Sequence, residues 1–245
     1  MDRESRTVLA VDNSASMIFY LGTLLTRLDY KVTAARSAEE ALQLMETAVP
    51  SLVLTEMSLP RMNGIGLLKR IQETPRLKEV PVIILTSEND PGLKDTCLRA
   101  GCAAYVNKPI EPDVLYRAMQ AATESVPRQN IRLATSLKVI VGGAILGGAA
   151  RTEYATALSE GGLYIRTFYP QSVNTLVPLT LFIKDREMKA KAVVLYSYAM
   201  GQGPFKEPGM GMKFVEIAEE DRLSIRDFIK EQLTADIAAQ AEGQG

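Results

Sequence analysis

Apolar and polar positions follow two different rhythms along the chain. In the first half, short apolar runs alternate with helical spacing. Thr7–Val11 is a buried-type strand that stops at Asp12-Asn13-Ser14. Ser14 suits an N-cap, and Met17, Leu21, Leu24, Leu25 and Leu28 then recur at helical intervals. Tyr30–Ala34 predicts a second strand, and Ser37 opens a second helix with Glu39 and Glu40 in the first turn, where the helix dipole favours them. Leu52–Thr55 predicts a third strand, stopping at Glu56. After the Pro60–Gly64 loop, Leu67, Leu68 and Ile71 line another helix. Val80–Leu85 predicts a fourth strand, ending at Thr86-Ser87, and Asn89–Ala100 a helix that Gly101 stops. Ala103–Val106 predicts a fifth strand, followed by Asn107-Lys108-Pro109, and Pro112 fits the first turn of a helix reaching Glu124. Such strand–helix alternation predicts a doubly wound parallel sheet, with chemistry at the carboxyl ends of its strands. Asp12, Glu56, Thr86 and Lys108 each fall at or just past such an end.

The rhythm changes after Ser125-Val126-Pro127, because the residue before a proline is pushed out of the helical region. This places a domain boundary there, giving domains of residues 1–125 and 126–245. Beyond it, strands are expected over Leu133–Ile145, with Gly142-Gly143 as a turn or bulge, and near Arg151–Ala157, Leu163–Thr167, Thr175–Ile183, Lys189–Tyr198 and Gly211–Glu216. Lys184-Asp185-Arg186 and Met200–Gly211 are read as separators. Short strands at this spacing predict an antiparallel barrel or sandwich. Glu219–Leu233 then predicts an amphipathic helix with Leu223, Ile225, Phe228, Ile229 and Leu233 apolar, and the small polar tail from Thr234 is expected to fray.

Composition narrows the chemistry. A chain of 245 residues with 47% hydrophobic positions suits two domains with real cores. Lys+Arg 28 against Asp+Glu 29 leaves a net charge of −1, so no basic field seeks nucleic acid or anionic lipid. Histidine is absent, which excludes His-based triads, dyads, general bases and metal ligands. The two cysteines, Cys97 and Cys102, are too few for a zinc site of their own or a disulfide framework, and read as buried thiols near a helix end. The N-terminus runs straight into a strand without a signal peptide. The run Thr167–Ile183 is broken by Pro170 and Pro178, and Val139–Ala150 is too short for a membrane helix. A soluble cytoplasmic protein is expected.

Four motifs of the first half carry a resemblance: Val8-Leu-Ala-Val-Asp12-Asn13-Ser14, Leu52-Val-Leu-Thr-Glu56-Met-Ser-Leu-Pro60-Arg-Met-Asn63-Gly64, Ile83-Ile-Leu-Thr86-Ser87 and Tyr105-Val-Asn-Lys108-Pro109. Over residues 7–124 the sequence resembles the receiver domain of bacterial response regulators, a flavodoxin-like fold of five parallel strands. The resemblance implies an acidic pair for Mg²⁺ at Asp12-Asn13, a phosphoacceptor position at Glu56, phosphoryl contacts from Thr86 and Lys108, and a conformationally responsive aromatic at Tyr105. Two positions depart from the family. Glu56 replaces the accepting Asp, and its extra methylene projects the carboxylate into the space of the phosphoryl group. Asn13 removes one charge from a site that wants carboxylates, so Asp12, Asn13 and Glu56 make only a weakened Mg²⁺ site, and no bound metal is expected. A receiver that does not accept phosphate is expected. Its Glu56 either imitates part of a phosphorylated Asp, locking an active-like state, or simply pairs with Lys108 in an unregulated scaffold.

In the second half, Arg128-x-x-x-Arg132, the turn Ala157-Leu-Ser159-Glu-Gly-Gly162 and the segment Pro208-Gly-Met-Gly-Met-Lys-Phe-Val215 together resemble a PilZ domain, over about residues 127–235. The family binds cyclic di-GMP, and the resemblance implies Arg128, Arg132, Ser159 and Gly162 as its ligand residues here. Arginine forks suit phosphodiesters and guanine edges, and guanidinium planes stack on purines. Ala157 stands where the family has Asp or Asn. A lost guanine contact of that kind costs about 1–3 kcal/mol, or about 5–150-fold in affinity, which leaves Arg151 or Arg166 as compensating candidates.

These features point to a non-enzymatic signalling effector that binds cyclic di-GMP as a ligand. Capture of the ligand is transmitted through domain rearrangement to a downstream protein partner, with a homodimer possible. Nucleophile–base pairs and metal clusters are missing outside the altered receiver edge, and neither DNA binding nor membrane insertion is expected. The alternative is a degenerate adaptor that binds proteins without nucleotide. A third reading, phosphorylation control through Glu56, is the least favoured.

Overall fold

The structure is a computed structural model and describes residues 6–88, 90–142, 150–203, 207–235 and 237. Asn89, Gly143, the expected strand extension to Ile145, part of the Met200–Gly211 separator and the tail from 238 lie outside the described residues. The chain divides into two compact units, one running to Gln129 and taking in the tail from Leu233, the other spanning Asn130–Gln232. The division thus lies a few residues beyond Ser125. The chain after the last helix of the first unit stays attached to that helix, where the Arg128 backbone N–H donates to Gln120 Oε1 at 3.2 Å.

The first unit alternates β1 (Thr7–Val11), α1 (Ala15–Arg27), β2 (Lys31–Ala35), α2 (Ala38–Thr47), β3 (Leu52–Glu56), α3 (Gly64–Glu73), β4 (Val82–Thr86), α4 (Pro91–Arg99), β5 (Ala104–Asn107) and α5 (Pro112–Thr123). Its strands form one parallel sheet in the order β2-β1-β3-β4-β5. Every residue of β3 and β4 is buried, as expected of strands covered on both faces, while β2 at the edge is largely exposed. Side-chain oxygens open the helices. Ser14 caps α1, Ser37 caps α2, Asn63 caps α3 and Asp90 caps α4, each accepting a backbone N–H of the first turn. The order of strands reverses at β1, which pairs with both β2 and β3. Open sheets of this kind have their crevice at that switch point. The Val11↔Thr55 register places Asp12 and Glu56 side by side there. Glu56↔Leu85 and Thr86↔Asn107 then set Thr86 and Lys108 on the same edge.

The second unit holds β6 (Leu133–Val141), β7 (Arg151–Ser159), β8 (Gly162–Arg166), β9 (Leu176–Ile183), β10 (Arg186–Tyr198), β11 (Gly209–Ile217) and α6 (Glu219–Thr234). The six strands close into an antiparallel barrel in the order β10-β11-β8-β7-β6-β9. Arg186 belongs to β10 and does not separate strands, since it pairs with Ile183 across a tight hairpin. The period-two rhythm sorts the faces. Leu158, Leu163, Met212 and Val194 form one register row and are buried inside, as do Ala155, Ile165 and Met210 in a second row. Ile225 and Ile229 bury one side of α6, whereas Leu223 is exposed. Arg186 anchors the start of α6 through Glu220 at 3.1 Å and Asp221 at 2.7 Å.

Backbone crowding fixes one glycine. A Cβ on Gly162 would fall 2.0 Å from the Met212 carbonyl oxygen of β11. β11 therefore approaches the Gly162 backbone closely. Gly162→Ala is expected to destabilise the barrel unit by about 1–3 kcal/mol in chemical denaturation, because β8 must move away from β11 to admit the methyl group.

Candidate functional site

At the switch point of the sheet, Asp12 and Glu56 are both buried, with exposures of 1% and 7%. Lys108 Nζ donates to Asp12 Oδ2 at 2.7 Å and also to Glu56 Oε2. The remaining carboxylate oxygens are occupied as well. Asp12 Oδ1 accepts the Ser14 N–H at 2.8 Å, and Glu56 Oε1 accepts the Ser58 N–H at 3.1 Å. One ammonium thus faces two carboxylates, and backbone N–H groups satisfy what is left. Burial disfavours the charged Lys108, but hydrogen bonds and charge from Asp12 and Glu56 outweigh it and hold its pKa above the usual lysine value. Asn13 is exposed, and its backbone carbonyl accepts from Arg36 Nη2 at 3.0 Å. Among the described residues no group of three or more Cys, Asp or Glu is placed to hold a metal ion.

Thr86 is buried on the same edge, and its Oγ1 accepts the Glu88 N–H at 3.1 Å. The Glu88 side chain accepts from Ser58 Oγ at 2.5 Å, and its backbone carbonyl accepts from the Tyr105 hydroxyl at 2.9 Å. Tyr105 is half-buried against the sheet core. Burial, followed by the neighbouring Cys97, Glu88, Asp90 and Glu56, raises its pKa and keeps the phenol a donor. Glu88 therefore ties the loops after β3 and β4 to β5. Sequence reasoning missed this role, although the polar run Thr86-Ser87-Glu88 after an apolar strand marks the position. Cys97 and Cys102 are buried free thiols, and burial with the nearby Cys97 pushes Cys102 up to about 11.

On the barrel, Ser159 closes the β7–β8 hairpin by donating from Oγ to the Gly162 carbonyl at 3.0 Å. Leu133 pairs with Leu158 in the antiparallel ladder. Arg132, which is exposed, directly precedes Leu133 in the chain, and Ser159 directly follows Leu158, so the two flank the first pair of that ladder. The Asn130 amide supports this path, lying 2.9 Å from where a Gly161 Cβ would stand. Arg132, Ser159 and Gly162 are thereby brought together, whereas Arg128 belongs to the first unit. Ala157 lies on the same outer face, two residues before Ser159. Of the compensating candidates, Arg166 pairs with Glu207 at 3.3 Å, and Arg151 sits 4.3 Å above the Tyr169 ring.

The profile of the response regulator receiver domain matches residues 8–120. Two rice proteins show the same likeness. The two-component response regulator ORR7 of Oryza sativa subsp. japonica is 38% identical over 106 residues, covering 43% of this chain and 50% of that one. ORR5 of the same subspecies is 36% identical over 111 residues, covering 45% of this chain and 83% of that one. The chain belongs to the response regulator receiver family. The chemotaxis response regulator CheY4 of Vibrio cholerae is 27% identical, with a TM-score of 0.46, over 48% of this chain and 98% of that one. The chain spans about half the length of ORR7, and the likeness lies in the receiver half. Among the described residues, no helix of the chain is long and apolar enough to cross a membrane.

In this receiver Glu56 and Asp12 share the single ammonium of Lys108. Lys108→Met leaves two buried carboxylates without their cation, and is expected to cost about 3–5 kcal/mol of receiver stability in urea titrations at neutral pH. A lysine whose pKa is raised by folding contributes stability that is complete below its unfolded value and lost as pH rises through the folded one. The wild-type receiver therefore weakens at alkaline pH above 10.5 through this residue, and the variant lacks that loss.

Proposed function

We propose that this chain is a cytoplasmic signalling effector that joins a receiver inactive in phosphoryl transfer to a PilZ-like barrel that binds cyclic di-GMP. The observation that supports the ligand assignment is that Arg132 and Ser159 flank the first pair of the β6–β7 ladder, Leu133↔Leu158, while Ser159 pairs with Gly162. A guanidinium there can grip a phosphodiester bidentately or read guanine O6 and N7. Arg128, four residues earlier in the chain, completes the pair of arginines. Ligand capture by this pair reorders the junction, and a downstream protein reads the rearrangement.

The receiver half supports a non-phosphorylated role on electrostatic grounds. Glu56 fills the place of the acceptor with a fixed charge that Lys108 neutralises, and a phosphoryl dianion would add repulsion at short range. Asn13 leaves Asp12 as the only carboxylate of the expected Mg²⁺ pair. A second reading, in which the barrel is a nucleotide-free adaptor for proteins, is favoured by Phe168 and Tyr169, which stand 72% and 64% exposed.

Calorimetric titration with cyclic di-GMP is expected to show saturable binding that Arg128→Ala or Arg132→Ala abolishes. A native protein silent at high micromolar ligand would falsify the assignment and leave the adaptor. Incubation with a small acyl phosphate and Mg²⁺ is expected to leave the protein mass unchanged. Stable phosphorylation mapped to Glu56 would overturn the inactive receiver.

A further inference from the structure

The outer face of the barrel carries tyrosines whose rings lie against glycine backbone. The ladder pairs Ala157 with Tyr164, Tyr164 with Gly211, and Gly211 with Tyr196. The adjacent outer row is Tyr154, Arg166, Gly209 and Tyr198, and the row on the other side is Ser159, Gly162, Lys213 and Val193. A Cβ on Gly211 would fall 2.1 Å from Tyr196 Cζ, and one on Gly209 would fall 2.6 Å from Tyr164 Oη. The rings therefore lie flat over β11 where side chains would otherwise stand. Tyr164 and Tyr196 are stacked with centroids 6.3 Å apart and 26° between their planes, and Tyr198 lies 5.5 Å from Tyr196 with its ring tilted by 47°. All three are half-buried, covered below by the strand and keeping part of each ring in solvent.

The surroundings of this plate select its occupant. Exposed cations stand in the rows on either side, Arg166 in one and Lys213 in the other. Arg166 is held by Glu207 in an exposed pair, which is weak and readily exchanged for a phosphate. A flat aromatic surface between cations suits a planar base carried by an anionic backbone. Ala157 matters for the same reason. It offers a guanine edge no hydrogen bond, but its small methyl leaves the flank of Tyr164 open to a ring.

We propose that Tyr164, with Tyr196 beside it, is the stacking surface for one guanine of cyclic di-GMP, and that stacking supplies here the affinity that Ala157 cannot. This rests on the ligand assignment made above. Stacking on an aromatic side chain is base-tolerant and strong enough to replace one lost edge contact.

The test compares the full-length native chain with Tyr164→Leu, Tyr164→Phe and Arg132→Ala, each checked for folding by circular dichroism and titrated calorimetrically with cyclic di-GMP. Tyr164→Leu is expected to bind about 5–150-fold more weakly, and Tyr164→Phe, which keeps the ring, to retain native affinity. Tryptophan is absent, so the intrinsic fluorescence comes from the 9 tyrosines. Ligand is expected to quench it in the native chain and less in a folded Tyr196→Leu variant. Native affinity in a folded Tyr164→Leu variant, with binding still lost in Arg132→Ala, overturns the stacking role and leaves the ligand assignment standing. Equal loss in the Leu and Phe variants overturns the stacking role too, since the hydroxyl would then be the contact. A native chain that binds no ligand at all overturns both.

Discussion

The receiver is organised around one ammonium group shared by two buried carboxylates. Lys108 reaches them only because β1 lies next to β3 and because the strand registers bring Asp12, Glu56 and Lys108 to one edge. Burying two carboxylates is costly unless they are paired and hydrogen-bonded, and Lys108 supplies the pairing to both. The backbone N–H groups of Ser14 and Ser58 complete the arrangement, so every carboxylate oxygen has a partner. A site that ordinarily waits for an incoming charge is here satisfied from within. The loop network through Glu88 and Tyr105 adds to this by fastening the segments that follow β3 and β4.

The barrel solves a different problem with a different device. Its interior rows are filled by Leu158, Leu163, Met212, Val194 and their neighbours. Its exterior has glycines where β11 passes under Tyr164 and Tyr196. A glycine in a strand sacrifices side-chain packing, and the aromatic rings from adjacent strands restore it. The same arrangement leaves a flat surface beside the hairpin that bears Ser159.

Much of this was legible in the sequence, for physical reasons that differ between the halves. The parallel strands announced themselves because β3 and β4 open on unbroken apolar runs, Leu52–Leu54 and Val82–Leu85, and Ser14 and Ser37 named the starts of the first two helices. Strand ends drifted by a residue or two, as at β2 and β4, because terminal pairing depends on neighbours. The start of β10 was hidden by Arg186 and Glu187, whose charges look like a turn but lie exposed at the end of a barrel strand. That Met212 crowds Gly162 is shown only by the fold, since the two lie on different strands. Glu88 and the tyrosine plate stayed invisible because each depends on residues far apart in sequence meeting through register. The placement of Arg132 and Ser159 around the first pair of the β6–β7 ladder has the same origin.

Closure of the barrel also limits how another molecule can join it. Among the described residues the ladder closes, with β6 meeting β9 through Val139–Val141, so most of the strand edge is already paired and little is left for an extended peptide to join by backbone hydrogen bonding. Any protein that engages this unit must chiefly recognise side chains on its faces or on α6. In the receiver sheet, by contrast, β2 and β5 are terminal strands, and Lys31 and Thr33 on β2 lie exposed. Backbone-templated assembly, with its hazard of runaway polymerisation, is thereby left chiefly to the rims of the parallel sheet.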